Sequence, residues 1–387
     1  MRKSSSLLLA FAVSAGLALA DNAANLGILR QLRFSPDGKY LLAQDDSEIT
    51  VLAADPLGVL FRVQAHKGVL GHFTPDSQEL VFVKAMTPVV QGQIQGPEGT
   101  PRVERWRISD RARVASTAIP SLTCGTASLA PDGRTLACDD LKGTLHVIDV
   151  TSGEETLTKK KFSLPGTDSR RANLWAADFE FSPDGRLLIA LPNDDGVAVL
   201  WDAGGRNLLK SQGEVKLLSK AMFRSDFFAF LAPDRLAIMR ARWISSKEGS
   251  KCTADVVAFP SGDVMSTMDM PHCPGGPSLE VGRPQRPFRR AADSSLLMID
   301  YEVVIDRGVA GIINADSSLP RDWVWLQGRK ARVETCAVEA KTGRVIQSDS
   351  RMLDVFANRY LTEVRPGEVG LWETGKGLLA SIAVIKK

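Results

Sequence analysis

An all-β fold follows from three features of the sequence. A tight-turn motif recurs along the chain. Apolar runs rich in Leu, Val, Ile and Phe flank each copy. A further run and a second polar turn follow downstream at similar spacing. The motif reads Phe34-Ser35-Pro36-Asp37-Gly38, then Phe73-Thr74-Pro75-Asp76-Ser77, Leu129-Ala130-Pro131-Asp132-Gly133 and Phe181-Ser182-Pro183-Asp184-Gly185. A worn copy is Leu231-Ala232-Pro233-Asp234, and Ala292-Asp293-Ser294 and Ala357-Asn358-Arg359 are looser still, which makes seven. Pro presets φ at the second turn position, Asp bonds its own backbone, and Gly closes the turn, so each unit predicts a hairpin.

Third strands are predicted at Ile49–Leu52, Val103–Ile108, Thr144–Val150, Val197–Asp202, Asp255–Phe259, Val333–Val338 and Glu368–Glu373. Turns such as Thr151-Ser152-Gly153, Ala203-Gly204-Gly205, Pro260-Ser261-Gly262 and Lys341-Thr342-Gly343 lead from most of them into a fourth run. The expectation is seven four-stranded antiparallel units, with loops absorbing spacings of 39 to about 65 residues. One such sheet buries neither face well, whereas a ring of them buries each face against a neighbour. The predicted architecture is therefore an all-β, seven-bladed β-propeller of four-stranded antiparallel blades, forming a single domain over residues 21–387. Two segments compete for the outer strand of the last blade, Leu378–Ile385 and Asn25–Leu29.

These repeats resemble bacterial WD-repeat-type propellers. Leu200-Trp201-Asp202 matches the Trp-Asp signature, and Leu371-Trp372-Glu373 and Val147-Ile148-Asp149 are close variants. The resemblance covers nearly the whole chain after residue 20, but departs from the eukaryotic pattern because Gly71-His72 is the only Gly-His dipeptide among the repeats. It implies a fold shared by scaffolds, lactonases, quinoprotein dehydrogenases and peptidase side domains, and so does not choose an activity.

Residues 1–20 read as a secretory signal peptide. Met1-Arg2-Lys3 is positive, Leu7 to Ala20 is nearly all apolar, and Ala18-Leu19-Ala20 is a small-x-small cleavage site. Fourteen helical residues span about 21 Å, short of a hydrocarbon core of about 30 Å. No later run is long and apolar enough to span a bilayer. The mature chain is expected to begin at Asp21 and to be periplasmic or secreted.

Export permits disulfides. The five cysteines are Cys124, Cys138, Cys252, Cys273 and Cys336, so at least one is unpaired within the chain. A two-residue turn at Gly262-Asp263 places Cys252 opposite Cys273, a favourable geometry for a bridge. Cys124 and Cys138 flank the Pro131-Asp132-Gly133 turn about three positions out of register, a poorer arrangement. No Cys/His spacing suggests a metal.

Lys+Arg 48 against Asp+Glu 45 leaves a net charge of +3, which offers no footprint for nucleic acid. The sequence has no G-x-S-x-G, H-E-x-x-H, phosphate-cradling loop or dinucleotide fingerprint. Asp45-Asp46, Asp139-Asp140 and Asp194-Asp195 recur after second strands, where they read as solvated turns rather than as a calcium loop.

The position before the motif's first residue lies on the innermost strand of each unit. It reads Arg33, His72, Ser128, Glu180, Phe230, Arg289 and Asp354. Arg33, His72, Glu180, Arg289 and Asp354 are the candidate channel ligands; the alternative is that the four charged ones pair across blades. A basic and aromatic rim is the second candidate site: Arg283, Arg286 and Arg290 in a Pro-containing stretch without acids, with Trp323 and Trp325 in a later insertion.

The function expected is an exported scaffold that binds a protein or glycan through one face and its loops, without a cofactor. Two alternatives stay open. One is a propeller-type hydrolase or lactonase whose activity depends on His72 and Glu180. The other is a component of a cell-envelope assembly, as in the Tol-type translocation propeller.

Overall fold

In a computed structural model of the chain, the described residues lie between 29 and 384. Outside the description are 1–28, 30, 46, 65–70, 85–88, 91–92, 95–101, 120–125, 140–143, 160–177, 192–196, 203–212, 217–227, 246–248, 259–260, 262, 274–287, 294–295, 307–322, 327–328, 349–350, 366 and 385–387.

The Pro-Asp turns form as their composition dictates. Ser35 Oγ donates to Asp37 Oδ1 at 2.7 Å, Gly38 N–H donates to the Ser35 carbonyl at 2.9 Å, and Tyr40 N–H donates to Ser35 Oγ at 3.0 Å. Thr74 and Ser182 repeat the pattern with Asp76 and Asp184 at 2.6 Å. Gly38, Gly133 and Gly185 take φ near +70°, where glycine carries no steric cost. Gly38 is constrained twice, because a Cβ there would stand 2.3 Å from the Phe356 ring of the last sheet.

Each turn joins the first two strands of an antiparallel sheet. The first sheet runs Gln31–Phe34, Tyr40–Gln44, Glu48–Ala54 and Leu57–Gln64 in spatial order. The second runs His72–Phe73, Glu79–Lys84, Arg102–Arg107 and Ala112–Ala118, with a two-stranded ribbon, Val89–Val90 and Gln93–Ile94, inside its long excursion. Four-stranded sheets follow over 126–159, 178–216 and 228–269, and the last covers 354–383. Gly377–Ala383 pairs with Glu368–Glu373, so the C-terminal run supplies the last outer strand. Of the competing N-terminal segment, residues 25–28 lie outside the described residues.

The expectation of seven four-stranded blades is corrected here: the described residues form six four-stranded sheets. The run from 288 to 348, read from its repeat as another four-stranded copy, is a five-stranded sheet. Its strands Leu296–Asp306 and Arg329–Glu339 are 11 residues each. The second is long enough to take two partners along its outer edge, Trp323–Leu326 at one end and Val345–Ser348 at the other.

The first sheet is apolar on both faces, which is what a propeller requires. Leu41 and Leu42 are neighbours in one strand and belong to different cores. Leu41 packs with Leu32, Phe34, Leu361 and Leu371 between the first and last sheets. Leu42 packs with Ile49, Phe73, Leu80 and Phe82 between the first and second. Equivalent cores join the second sheet to the third, the fifth to the five-stranded sheet, and that sheet to the last. First strands touch across sheets, as Gln31–Phe34 touches Asp354–Phe356. The first and last sheets therefore meet, and the fold is a β-propeller with its first strands innermost.

Candidate functional site

The inner-strand positions singled out from the repeat are structurally equivalent. Arg33 is registered with Leu42, His72 with Val81, Glu180 with Ile189, Arg289 with Met298 and Asp354 with Leu361. They sort into different roles. Glu180 is placed on its strand, and its side chain lies outside the described residues.

Asp354 is 2% exposed and serves as a bracket between sheets. Its Oδ2 accepts from Phe34 N–H of the first sheet at 2.8 Å. Its Oδ1 accepts from Ala292 N–H of the five-stranded sheet and from Val355 N–H, both at 2.9 Å. Burial raises its pKa above the ordinary carboxylate value, opposed by Arg33 and by these three N–H groups.

Arg289 pairs with Asp300 at 3.0 Å and donates to the Met352 carbonyl at 2.8 Å. Asp300 also takes Arg351 at 3.1 Å and the Thr335 hydroxyl at 2.7 Å, and Thr335 Oγ1 accepts from Met352 N–H at 3.0 Å. This buried network ties the five-stranded sheet to the segment entering the last sheet. Cys336, free and buried beside it, has its thiol pushed up to about 12 by burial and then by the Asp300 charge.

Arg33 and His72 remain at the inner edge, both half-buried. His72 is held down to about 3, first by desolvation and then by the positive charge of Arg33, so its imidazole is neutral at neutral pH.

A second polar cluster stands where the fifth and five-stranded sheets meet. The His272 ring stacks on Tyr301, with centroids 3.7 Å apart and planes 11° from parallel. Tyr301 hydroxyl donates to buried Glu334 at 3.0 Å and accepts from Gln347 Nε2 at 2.8 Å. Cys273, next to His272, is disulfide-bonded to Cys252, with Cα atoms 5.2 Å apart. Cys138 is disulfide-bonded as well, and Cys124 lies outside the described residues.

The bridge forms in a different register from the one expected. Cys252 lies opposite Met270, whose N–H donates to the Cys252 carbonyl at 3.0 Å, and Cys273 reaches back from a bend beyond the strand. The hairpin turns earlier than expected: Ala258 N–H donates to the Asp263 carbonyl at 2.8 Å, and Val257 lies opposite Val264.

Of the rim residues, Arg283 and Arg286 lie outside the described residues. Arg290 is half-buried on an inner strand. Trp323 and Trp325 stand opposite Arg332 and Lys330 in a hairpin. That hairpin joins one of two unusually long strand pairs. Arg235–Ser245 with Gly249–Ala258, and Leu296–Asp306 with Arg329–Glu339, run for 10 or 11 residues. The corresponding strands of the other sheets have five to seven. The surplus of about five residues adds about 16 Å of strand to each pair, at the end remote from the Pro-Asp turns. The His272–Tyr301 stack and the disulfide sit at the roots of these pairs.

The acidic turns behave as local structure where they are described. Asp45 Oδ1 accepts from Ser47 N–H and Glu48 N–H, both at 2.7 Å, an Asx turn. Among the described residues no group of three His, Cys, Asp or Glu is placed to hold a metal, and no helix is long and apolar enough to cross a membrane.

No family model matches the sequence, and no curated protein does. Among solved structures, the β-propeller domain of Cps50 (Swd1) from Myceliophteria thermophila is similar over 93% of this chain and 98% of that one, at 13% identity and a TM-score of 0.45. So loose a likeness carries no argument about function, and the propeller assignment rests on the sheets described above.

Proposed function

We propose that the protein is an exported β-propeller scaffold that binds a protein partner through the face carrying its two long strand pairs. The observation that supports this reading is the asymmetry of that face. Two neighbouring sheets, joined by one apolar core, extend strands well beyond the rest. The extensions carry Arg242, Trp243, Trp325, Arg329, Lys330 and Arg332, residue types suited to anchoring a partner or to steering an acidic one. Extending strands adds nothing to the core of a sheet, whereas a rigid raised edge suits recognition. Export is supported by the signal-like residues 1–20 and by the Cys252–Cys273 bond, which belongs to an oxidising compartment.

The test is affinity capture from envelope and culture fluid with the mature chain, compared with a variant carrying Arg329→Ser, Lys330→Ser and Arg332→Ser. A partner recovered by the native chain and lost with the variant is expected. The same proteins recovered by both would contradict the use of this face.

A further inference from the structure

Where the five-stranded sheet meets the last one, two arginines share a single carboxylate. Asp300 is 2% exposed and lies one residue beyond Ile299, which is registered with Phe288 at the start of the inner strand. Its Oδ1 pairs with Arg289 at 3.0 Å and accepts from the Thr335 hydroxyl at 2.7 Å. Its Oδ2 accepts from Arg351 Nε at 3.1 Å. Three donors therefore share one negative charge. Arg351 stands three residues before Asp354, the first residue of the last sheet's inner strand. The group thus sits at the inner edge of the ring, at the end remote from the Pro-Asp turns.

Arg351 has most of its donors left over. It is 6% exposed, yet among the described residues its Nε bond to Asp300 is its one hydrogen bond, and no acceptor stands at Nη1 or Nη2. Neither Nη group is sealed off, so both are reached from solvent. Arg289 differs, since it also donates to the Met352 carbonyl at 2.8 Å. A guanidinium this buried, with its Nη donors unmatched, is costly to hold. An acceptor placed on the Nη1–Nη2 edge offsets that cost.

The edge is aimed before any ligand arrives. Asp300 fixes Nε, and Arg289 and Thr335 fix Asp300. Thr335 Oγ1 in turn accepts from Met352 N–H, next to Arg351, at 3.0 Å. Such pre-organisation lowers the cost of binding. A guanidinium stays charged at any ordinary pH, and its parallel N–H bonds match two oxygens of one anion. We infer that Arg351 anchors an oxyanion-binding site at this inner edge, taking the terminal oxygens of a carboxylate or a phosphate. The site needs no protein partner and lies beyond the scaffold reading, so either can fail without the other.

The test titrates the mature chain with inorganic phosphate and with acetate, each against sodium chloride at equal ionic strength. In a nitrogen-labelled chain the Arg351 Nε signal is identified by its loss in Arg351→Lys and then followed. The expected result is a saturable shift with phosphate or acetate and none with chloride. Whichever binds more tightly names the class of anion. The same anion should raise the denaturation midpoint of the native chain, because it binds the folded state.

Arg351→Lys keeps the charge and removes the fork. Its midpoint should need about tenfold more anion for the same rise. Arg351→Gln, in which Asp300 keeps Arg289 and Thr335, stands in should Arg351→Lys not give a cooperative unfolding curve. An Arg351 Nε signal that neither anion moves would overturn the proposal. Equal stabilisation of the native chain and of a folded Arg351 variant would also overturn it, because the anion would then bind elsewhere.

Discussion

Asp354 shows how one short side chain holds the inner ring together. It accepts one N–H from its own strand and one from each neighbouring sheet. Asp354→Leu strands those donors in a buried setting, where each unmatched group costs about 1–3 kcal/mol. Denaturant unfolding should show a loss of about 3 kcal/mol or more, and a loss under about 1 kcal/mol would remove Asp354 as the bracket. His72 makes a pH prediction. Its folded pKa of about 3 lies below the ordinary 6.5, so the unfolded chain takes up a proton that the folded chain refuses. Its contribution to stability is therefore full above pH 6.5 and is lost as pH falls toward 3. Between about pH 6.5 and 4 the denaturation midpoint of the native chain should fall more steeply than that of His72→Gln. Parallel curves would show that His72 titrates normally. The inner-strand positions were legible in the sequence because the repeat places them, but their partners were not. Arg289 reaches Asp300, which lies in the second strand beyond the part the repeat defines.

Among the elements, the short strands were read closely and the long ones were not. Val197–Asp202 and Glu368–Glu373 coincide with the strands observed. Asp255–Phe259 and Val333–Val338 proved to be the ends of strands of 10 and 11 residues. A repeat template stops where the similarity stops, and the extensions are the parts without counterparts. Charged stretches such as Arg329-Lys330-Ala331-Arg332 also lack the apolar alternation that marks a half-buried strand. The five-stranded sheet follows from the same extension. The disulfide was legible as a pairing but not as a register, because the Gly-Asp pair at 262–263 reads as the turn, whereas Asp263 already pairs back to Ala258. Cys252 and Cys273 close a loop with a sequence separation of 21. Replacing both by Ser should cost about 3 kcal/mol in chemical denaturation. It should also loosen the root of the long pair at Gly249–Ala258, raising amide exchange there. Unchanged stability and exchange would show that the bond does not brace this element.

For the whole molecule, the propeller explains why no single blade needs a strong core of its own. Among the described residues, neighbouring sheets share apolar cores, and the first and last sheets share one as well. Export is a prediction at this scale. N-terminal sequencing of the protein from its native cells should find Asp21 first, and intact Met1 on the accumulated protein would contradict it. The central claim is that recognition uses the raised face. A photo-crosslinking side chain placed at Lys330 on a long pair, and in a second variant at Met265 on an outer strand where the side chain is exposed, tests it most directly. In native extracts the account predicts a discrete crosslinked partner from Lys330 and none from Met265. A partner captured from Met265 alone would place recognition on the outer edge and contradict the account.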